Sequence, residues 1–310
     1  MREFTAAAVQ LAPEPGRLTD ASVQANVERA VHWVERCVAE TGAELVVLPE
    51  STSTGFTPAL SAPELWEVVT PVPGAITQPV QEVAGRLGVH VVYGTYERGA
   101  QRGTVYNSAV LVGPTGDVLG VYRKTHLFAG ERHDLGGWVT AGDEVTVVST
   151  DLARIGMMIC FDGDYPELAR IQAVQGAEVL VRPSALLRSA DIWELTTRAR
   201  AYDNHVWVIG ANAVGVDPAG MLYFGNSLIV SPIGEVVACG TAQEGWVCAR
   251  VGPDAFRQAS PGSSHPQLFD HLADRNVALF RRYAENLVRP ARAAFPHPEF
   301  RAGVSFERNA

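Results

Sequence analysis

Three residues able to attack, deprotonate and stabilise stand at the ends of three apolar runs. Cys160 closes Ile155-Gly-Met-Met-Ile-Cys160 and leads into Phe161-Asp-Gly-Asp-Tyr-Pro-Glu167. Glu50 closes Leu45-Val-Val-Leu-Pro-Glu50, and Lys124 closes Val121-Tyr-Arg-Lys124. An ordinary thiol, with a pKa of ~8.5, is mostly protonated at neutral pH. A nearby ammonium lowers that pKa, and a nearby carboxylate can accept the proton. Cys160 is therefore the candidate nucleophile, and Glu50 the candidate general base and acid. Lys124 is the candidate partner for a developing oxyanion, together with the backbone N–H of Phe161. Alternation along residues 121–124 sends Tyr122 and Lys124 to one side and Arg123 to the other. Cys160 is expected to be the most reactive of the four cysteines.

The elements that must position these groups follow a repeat. Gly42-Ala-Glu-Leu-Val-Val-Leu-Pro-Glu50 reads almost like Gly176-Ala-Glu-Val-Leu-Val-Arg-Pro-Ser184. Asn107-Ser-Ala-Val-Leu-Val resembles Asn226-Ser-Leu-Ile-Val-Ser, in the same order. Two related halves, 1–150 and 151–260, are expected to build one sheet each. Each starts β-α-β. In the first, Asp20 is the expected N-cap, and Val23, Val27, Val31, Val34 and Val38 recur at helical spacing. In the second, Pro166 opens the helix after Cys160. Pro114-Thr-Gly-Asp117 and Pro232-Ile-Gly-Glu235 read as hairpin turns. Helices on one face of each sheet leave the other face apolar, so the sheets should stack as an α/β fold, a four-layer α-β-β-α sandwich with two pseudo-symmetric halves. Residues 1–255 would form this domain. Residues 256–310 read as a C-terminal extension, with helical spacing over 267–287 and a Pro- and Arg-containing tail.

Composition narrows the functional classes. The chain has 310 residues, 47% of them hydrophobic, and a net charge of -9. That charge, with no basic cluster, disfavours a nucleic-acid partner. No apolar run approaches the ~18 residues of a membrane span, and the start of the chain lacks a signal-peptide pattern. Four cysteines without C-x-x-C spacing fit a reducing compartment, and the expectation is cytoplasmic. No metal-spaced cluster, dinucleotide fingerprint or P-loop is present, so no cofactor and no metal are expected.

Three segments carry a family resemblance. They are Leu48-Pro-Glu50 with Gly55-Phe56, then Tyr122-Arg-Lys-Thr-His-Leu-Phe128, then Cys160-Phe-Asp-Gly-Asp-Tyr-Pro-Glu167. In this order they resemble the nitrilase superfamily of carbon–nitrogen hydrolases, over residues 4 to about 251. The resemblance implies Glu50, Lys124 and Cys160 as a catalytic triad. It also implies a second glutamate that orients the lysine and the substrate. Glu131 is the better candidate, with Glu144 the alternative. His126 falls inside the lysine motif and reads, like His133, as a structural residue. Phe161-Asp162 leans toward the amidase branches.

The expected reaction is hydrolysis of a small amide through a cysteine acyl-thioester. Alternatives are N-carbamoyl or nitrile hydrolysis, acyl transfer, or a binding member that keeps the fold without the chemistry. Phe161, Asp164, Tyr165, Ser184 and Ala185 are the expected substrate contacts. Asp164 either caps the following helix or presents a carboxylate that selects an amino-substituted amide. A homodimer or larger homo-oligomer is expected, because Leu268, Phe269, Leu272, Leu279, Phe280 and Tyr283 need a surface to cover.

Overall fold

Runs of valine, leucine, isoleucine and alanine with few polar interruptions become strands buried on both faces. The computed structural model describes residues 1–253 and 270–288. The first strands are β1 (Phe4–Gln10), β2 (Leu45–Val47), β3 (His90–Arg98), β4 (Val105–Val112), β5 (Val118–Arg123), β6 (Val147–Ser149) and β7 (Arg154–Met157). After them come β8 (Val179–Ser184), β9 (Trp207–Asn212), β10 (Val214–Val216), β11 (Leu222–Phe224), β12 (Leu228–Val230), β13 (Val236–Cys239) and β14 (Gly245–Val251). The helices are α1 (Asp20–Thr41), α2 (Ala62–Val68), α3 (Gln78–Leu87), α4 (Pro166–Val174), α5 (Ala190–Asn204), α6 (Val277–Arg282) and α7 (Ala284–Val288).

Two six-stranded sheets result, ordered β14-β1-β2-β3-β4-β5 and β13-β12-β9-β8-β7-β6. β1, β2 and β3 run parallel, and β4 and β5 return as hairpins. β7, β8 and β9 repeat this pattern, followed by β12 and β13. The halves do not separate at residue 150. β6 pairs with β7 in the second sheet, and β14 pairs with β1 in the first. Each half lends the other an edge strand, which the repeat could not reveal because neither strand belongs to it.

Side chains alternate across the sheets. Phe4, Ala6, Ala8, Leu45, Val47 and Tyr122 of the first sheet share one buried cluster with Ile155, Met157, Val179, Val181 and Ile209 of the second. Ala7, Val9, Val46, Leu48, Val91 and Val110 point the other way, onto Val23, Val27, Val34 and Val80 of α1 and α3. On the far face of the second sheet lie α4 and α5, through Leu168, Ala169, Trp193 and Ala201. The layers are α-β-β-α. Each fully buried aliphatic side chain contributes roughly 1.5–3 kcal/mol relative to exposure.

Thr19, not Asp20, caps α1. Its hydroxyl accepts from the Ser22 N–H at 3.2 Å, and the Ser22 hydroxyl accepts from the Thr19 N–H at 2.8 Å. Asp20 is the first helical residue, where its charge still suits the helix dipole.

The C-terminal extension differs from the single helix that its spacing suggests. Turns at 271–274 precede the short α6 and α7. Leu272 packs against the buried core, whereas Leu279, Phe280 and Tyr283 are exposed. Leu268, Phe269 and the tail from 289 onward lie outside the described residues. Among the described residues no helix is long and apolar enough to cross a membrane.

Candidate active site

The chain turns sharply where β7 ends. Cys160 takes φ +43°, a left-handed conformation unusual for a non-glycine residue, and opens a short 3-10 turn over Cys160–Asp164. Two groups hold this turn. The Arg182 guanidinium donates to the Cys160 carbonyl from Nε at 2.9 Å and from Nη2 at 2.6 Å. Asp162 accepts from the Ile159 N–H at 2.9 Å, the Tyr122 hydroxyl at 2.8 Å and the His126 N–H at 3.0 Å. It thereby ties the cysteine turn to the lysine segment. Gly163 lies directly on Arg182, and a Cβ there would fall 2.1 Å from the guanidinium carbon. Glycine is therefore required by close approach.

The three expected groups converge from separate strands. Glu50 lies three residues beyond β2, Lys124 one residue beyond β5, and Cys160 three residues beyond β7. Lys124 Nζ donates to Glu50 Oε1 at 2.7 Å and to Glu131 Oε2 at 2.6 Å. The 3-10 turn Ala129–Glu131 carries Glu131 inward, and all three side chains are fully buried. Glu144, the alternative second glutamate, is exposed on the surface near Arg123. The remaining Glu50 oxygen accepts from the Ala185 N–H at 2.7 Å. Gly94 of β3 lets the Glu50 turn approach, since a Cβ there would be 2.2 Å from the Pro49 carbonyl oxygen.

Burial and charge set the protonation states. Burial alone pushes the Lys124 ammonium down, but Glu131 and Glu50 outweigh it, and its pKa stands well above the usual lysine value. Burial raises Glu131, opposed by Lys124 and helped by Glu50. The Cys160 thiol is also raised, by burial first and then by Glu50; Lys124 and Arg182 pull the other way without prevailing. Lys124 thus acts in the expected direction on the thiol, but burial and Glu50 outweigh it. Burial therefore favours the protonated thiol over the thiolate.

Comparison with known proteins decides the family. The family model described as carbon–nitrogen hydrolase matches residues 5–259. A probable nitrilase of Schizosaccharomyces pombe is 31% identical over 280 residues, 89% of this chain and 97% of that protein. An omega-amidase of Homo sapiens is 35% identical over 232 residues, 72% of this chain and 81% of that protein. The chain belongs to the carbon–nitrogen hydrolases of the nitrilase superfamily. Among solved structures, an amidase from Nesterenkonia sp. AN1 superposes with a TM-score of 0.75 at 24% identity, covering 90% of this chain and 99% of that one. That likeness concerns the fold.

Cys160 gives this carbon–nitrogen hydrolase a thiol beside the buried charge cluster. Over its thiol lies a cavity of about 20 Å³, lined by Phe56, Phe128, Phe161, Ala185, Leu186, Leu187 and Arg188. That volume is little more than one water needs, so any bound acyl group must be small or displace these side chains. Larger cavities exist elsewhere on the molecule, but they hold none of these groups. Chemistry, not size, therefore locates the site.

Several expected contacts are rearranged in the hydrolase. Phe161 lines the cavity, with its ring edge-on to Phe128 at 5.7 Å. Tyr165 stands behind it, edge-on to Phe161 at 5.3 Å and stacked on His126 at 3.9 Å. Tyr165 supports the wall and does not line the cavity. Ser184 turns its hydroxyl back to the Arg182 carbonyl at 3.2 Å, and its own carbonyl accepts from the Ala213 N–H. It serves the strand end. Ala185 lines the cavity while its N–H holds Glu50.

Asp164 does not cap α4, the first of its two expected roles. Tyr165 takes the N-cap position of α4, without a side-chain cap. The Asp164 carboxylate accepts from Arg188 Nη2 at 2.7 and 2.9 Å, and Arg182 stands at 3.8 Å. His126 bonds Asp162 and Thr125, and His133 contacts the Thr140 hydroxyl, both outside the charge cluster. Among the described residues no His, Cys, Asp and Glu group could hold a metal ion.

Sequence reasoning missed Asn107, Arg182 and Arg188. Asn107 was visible only as part of a repeat, and the other two as charges in a strand and a loop. Asp162 stood within the cysteine motif, but spacing gave no sign of its partners.

Proposed function

We propose that this enzyme hydrolyses a small amide to an acid and ammonia or an amine through a Cys160 acyl-thioester. One observation carries the reading: a buried ammonium, Lys124, sits between two buried carboxylates beside the thiol. Glu50 takes the Cys160 proton as the sulfur attacks the carbonyl carbon. The C–S bond forms, and the carbonyl π pair moves to oxygen. Lys124 and the Phe161 N–H, one of the leading donors of the 3-10 turn, stabilise that oxyanion. As the oxyanion collapses, the C–N bond breaks, and Glu50 returns its proton to the departing amine. Water, deprotonated by Glu50, then attacks the thioester and releases the acid and the thiol. Glu131 holds Lys124 in line throughout.

The omega-amidase relative supports an amide as substrate, and the probable nitrilase relative keeps nitrile hydrolysis as the alternative. The apolar walls of Phe56, Phe128, Phe161, Leu186 and Leu187 favour a short, uncharged acyl portion. The test is an ammonia-release screen of amides, N-carbamoyl compounds and nitriles, with Cys160→Ala as the blank. Turnover of nitriles or carbamoyl compounds without amides would overturn the reading.

Two further assignments belong to this proposal. The enzyme works as a homo-oligomer, supported by Ile171 and Val174 of α4 and Ile192, Leu195 and Tyr202 of α5, all exposed. It works in the cytoplasm, supported by four cysteines without a disulfide. Light scattering that gives one chain's mass would refute the first. Fractionation that places the protein outside the cytoplasm would refute the second.

A further inference from the structure

The charge cluster contains a fourth member. Asn107, on β4 between β3 and β5, is fully buried. Its Nδ2 donates to Glu50 Oε1 at 2.7 Å and to Glu131 Oε1 at 2.8 Å. Its main-chain carbonyl accepts from the Lys124 N–H at 2.8 Å. A ring therefore closes: the Lys124 ammonium and the Asn107 amide alternate with two carboxylates.

The amide can sit only one way. Turned over, its oxygen would meet two carboxylate oxygens at under 3 Å. Asn107 Oδ1 has no protein hydrogen-bond partner among the described residues. β4 is already paired on both sides, with β3 and β5. Neither the side-chain oxygen nor the strand ladder explains an asparagine here; the two carboxylates do.

Donor counting reveals what it supplies. Glu131 Oε2 receives Lys124 Nζ and the Phe128 N–H at 2.9 Å, whereas Glu131 Oε1 receives Asn107 alone. Glu50 Oε1 receives Lys124 and Asn107. Two carboxylates around one ammonium leave an excess negative charge in a buried place. A neutral donor shared by both offsets their repulsion without consuming an N–H of Lys124. It also occupies Glu50 Oε1, leaving Oε2, beside Ala185, to exchange protons with the thiol.

We propose that Asn107 is a positioning residue that fixes Glu50 and Glu131 on either side of Lys124 and directs the proton-accepting oxygen of Glu50 toward Cys160. The proposal rests on Glu50 being the base. Removing an N–H donor from a carboxylate makes it easier to protonate. In Asn107→Leu the acid limb of the kcat/KM profile therefore moves to higher pH. At the pH optimum kcat falls on the order of 10²-fold, the scale of a misplaced acid–base group, with KM little changed.

The experiment compares pH profiles of wild type, Asn107→Leu and Asn107→Ser, with thermal melts as the check on folding. Asn107→Ser keeps a donor too short to span both carboxylates and leaves room for water. It should show the same upward shift if the leucine variant fails to fold. A loss of kcat with an unmoved acid limb would make Asn107 merely structural and overturn the proposal. Glu50→Gln is measured alongside. Near-normal activity there would remove the base and the proposal together. An inactive Glu50→Gln with unmoved limbs in the Asn107 variants would overturn the proposal alone.

Discussion

Arg182 grips the carbonyl oxygen of Cys160 with two N–H groups. Cys160 is the one residue of this turn in the left-handed region. Backbone strain of this kind costs about 1–3 kcal/mol and persists only where its surroundings over-determine it. Arg182 supplies that support. Its other side donates to the Thr196 and Thr197 hydroxyls at 2.9 Å, and its guanidinium lies over Trp193 at 4.8 Å. Burial lowers its pKa to about 10, which still leaves it charged at neutral pH.

Removing that grip should cost both activity and stability, because four hydrogen bonds of a buried guanidinium go with it. Arg182→Met keeps the volume and loses both hydrogen bonds to Cys160. A nucleophile displaced by about an ångström loses on the order of 10²-fold in rate. Steady-state kcat and a thermal melt on the same preparation check this. Unchanged kcat would show that the turn holds itself.

Lys124→Ala should inactivate the enzyme and also destabilise it, because it leaves two buried carboxylates without their cation. Breaking such a pair costs about 3–5 kcal/mol. Buried and unpaired, the carboxyl groups of the variant hold protons better in the folded than in the unfolded chain. The folded state then binds more protons, so stability rises as pH falls through the window above the unfolded value of ~4.3. Melts at pH 8 and pH 5.5 should show the deficit shrinking in acid. A constant deficit would contradict the buried-pair account.

The cysteines should sort by reagent shape. Cys160 is buried with a raised thiol pKa, while Cys239 and Cys248 are exposed. Exposure therefore reverses the order expected from chemistry alone for a bulky reagent. A large maleimide should label Cys239 and Cys248 first and spare activity. A small amide-shaped electrophile should reach Cys160 and abolish activity. Peptide mapping reads both results, and loss of activity without Cys160 modification would count against its role.

The second glutamate has a direct test. Glu131→Gln keeps two of the contacts but loses the charge facing Lys124, and should lower kcat by roughly 10²–10⁴-fold if it holds the oxyanion partner in place. Glu144→Gln, on the surface, should stay within about twofold of wild type. The opposite order in steady-state assays would exchange their assignments.

Asp164 and Arg188 predict the charge response of the site. Wild type should show no preference for an amino-substituted amide, because Asp164 is already paired with Arg188. Asp164→Asn leaves Arg188 unpaired at the cavity rim. Relative kcat/KM for a carboxylate-bearing amide over its neutral isostere should then rise several-fold, in keeping with a single charge contact of ~1 kcal/mol near the surface. A strong wild-type preference for the amino compound would restore Asp164 as a selector.

The parts of this protein legible in its sequence are those with local signatures. Valine-rich runs of strand length, the helical spacing from Val23 to Val38 and the two hairpin turns follow from side-chain periodicity and backbone preference, each acting over a few residues. Cys160, Glu50 and Lys124 were legible because each ends such a run inside a recognisable motif. Only the tertiary structure decided the rest. Asn107 meets Glu50 across 57 positions, and Arg188 meets Asp164 across 24. Many charged and polar side chains lie at comparable separations, and no periodicity says which will touch. The same holds for the exchanged edge strands β6 and β14, each too short or too ordinary to announce its sheet. The direction of the thiol's pKa shift belongs there too. Burial and Glu50 oppose Lys124 and Arg182, and which side prevails depends on how deeply the folded sheets enclose the sulfur.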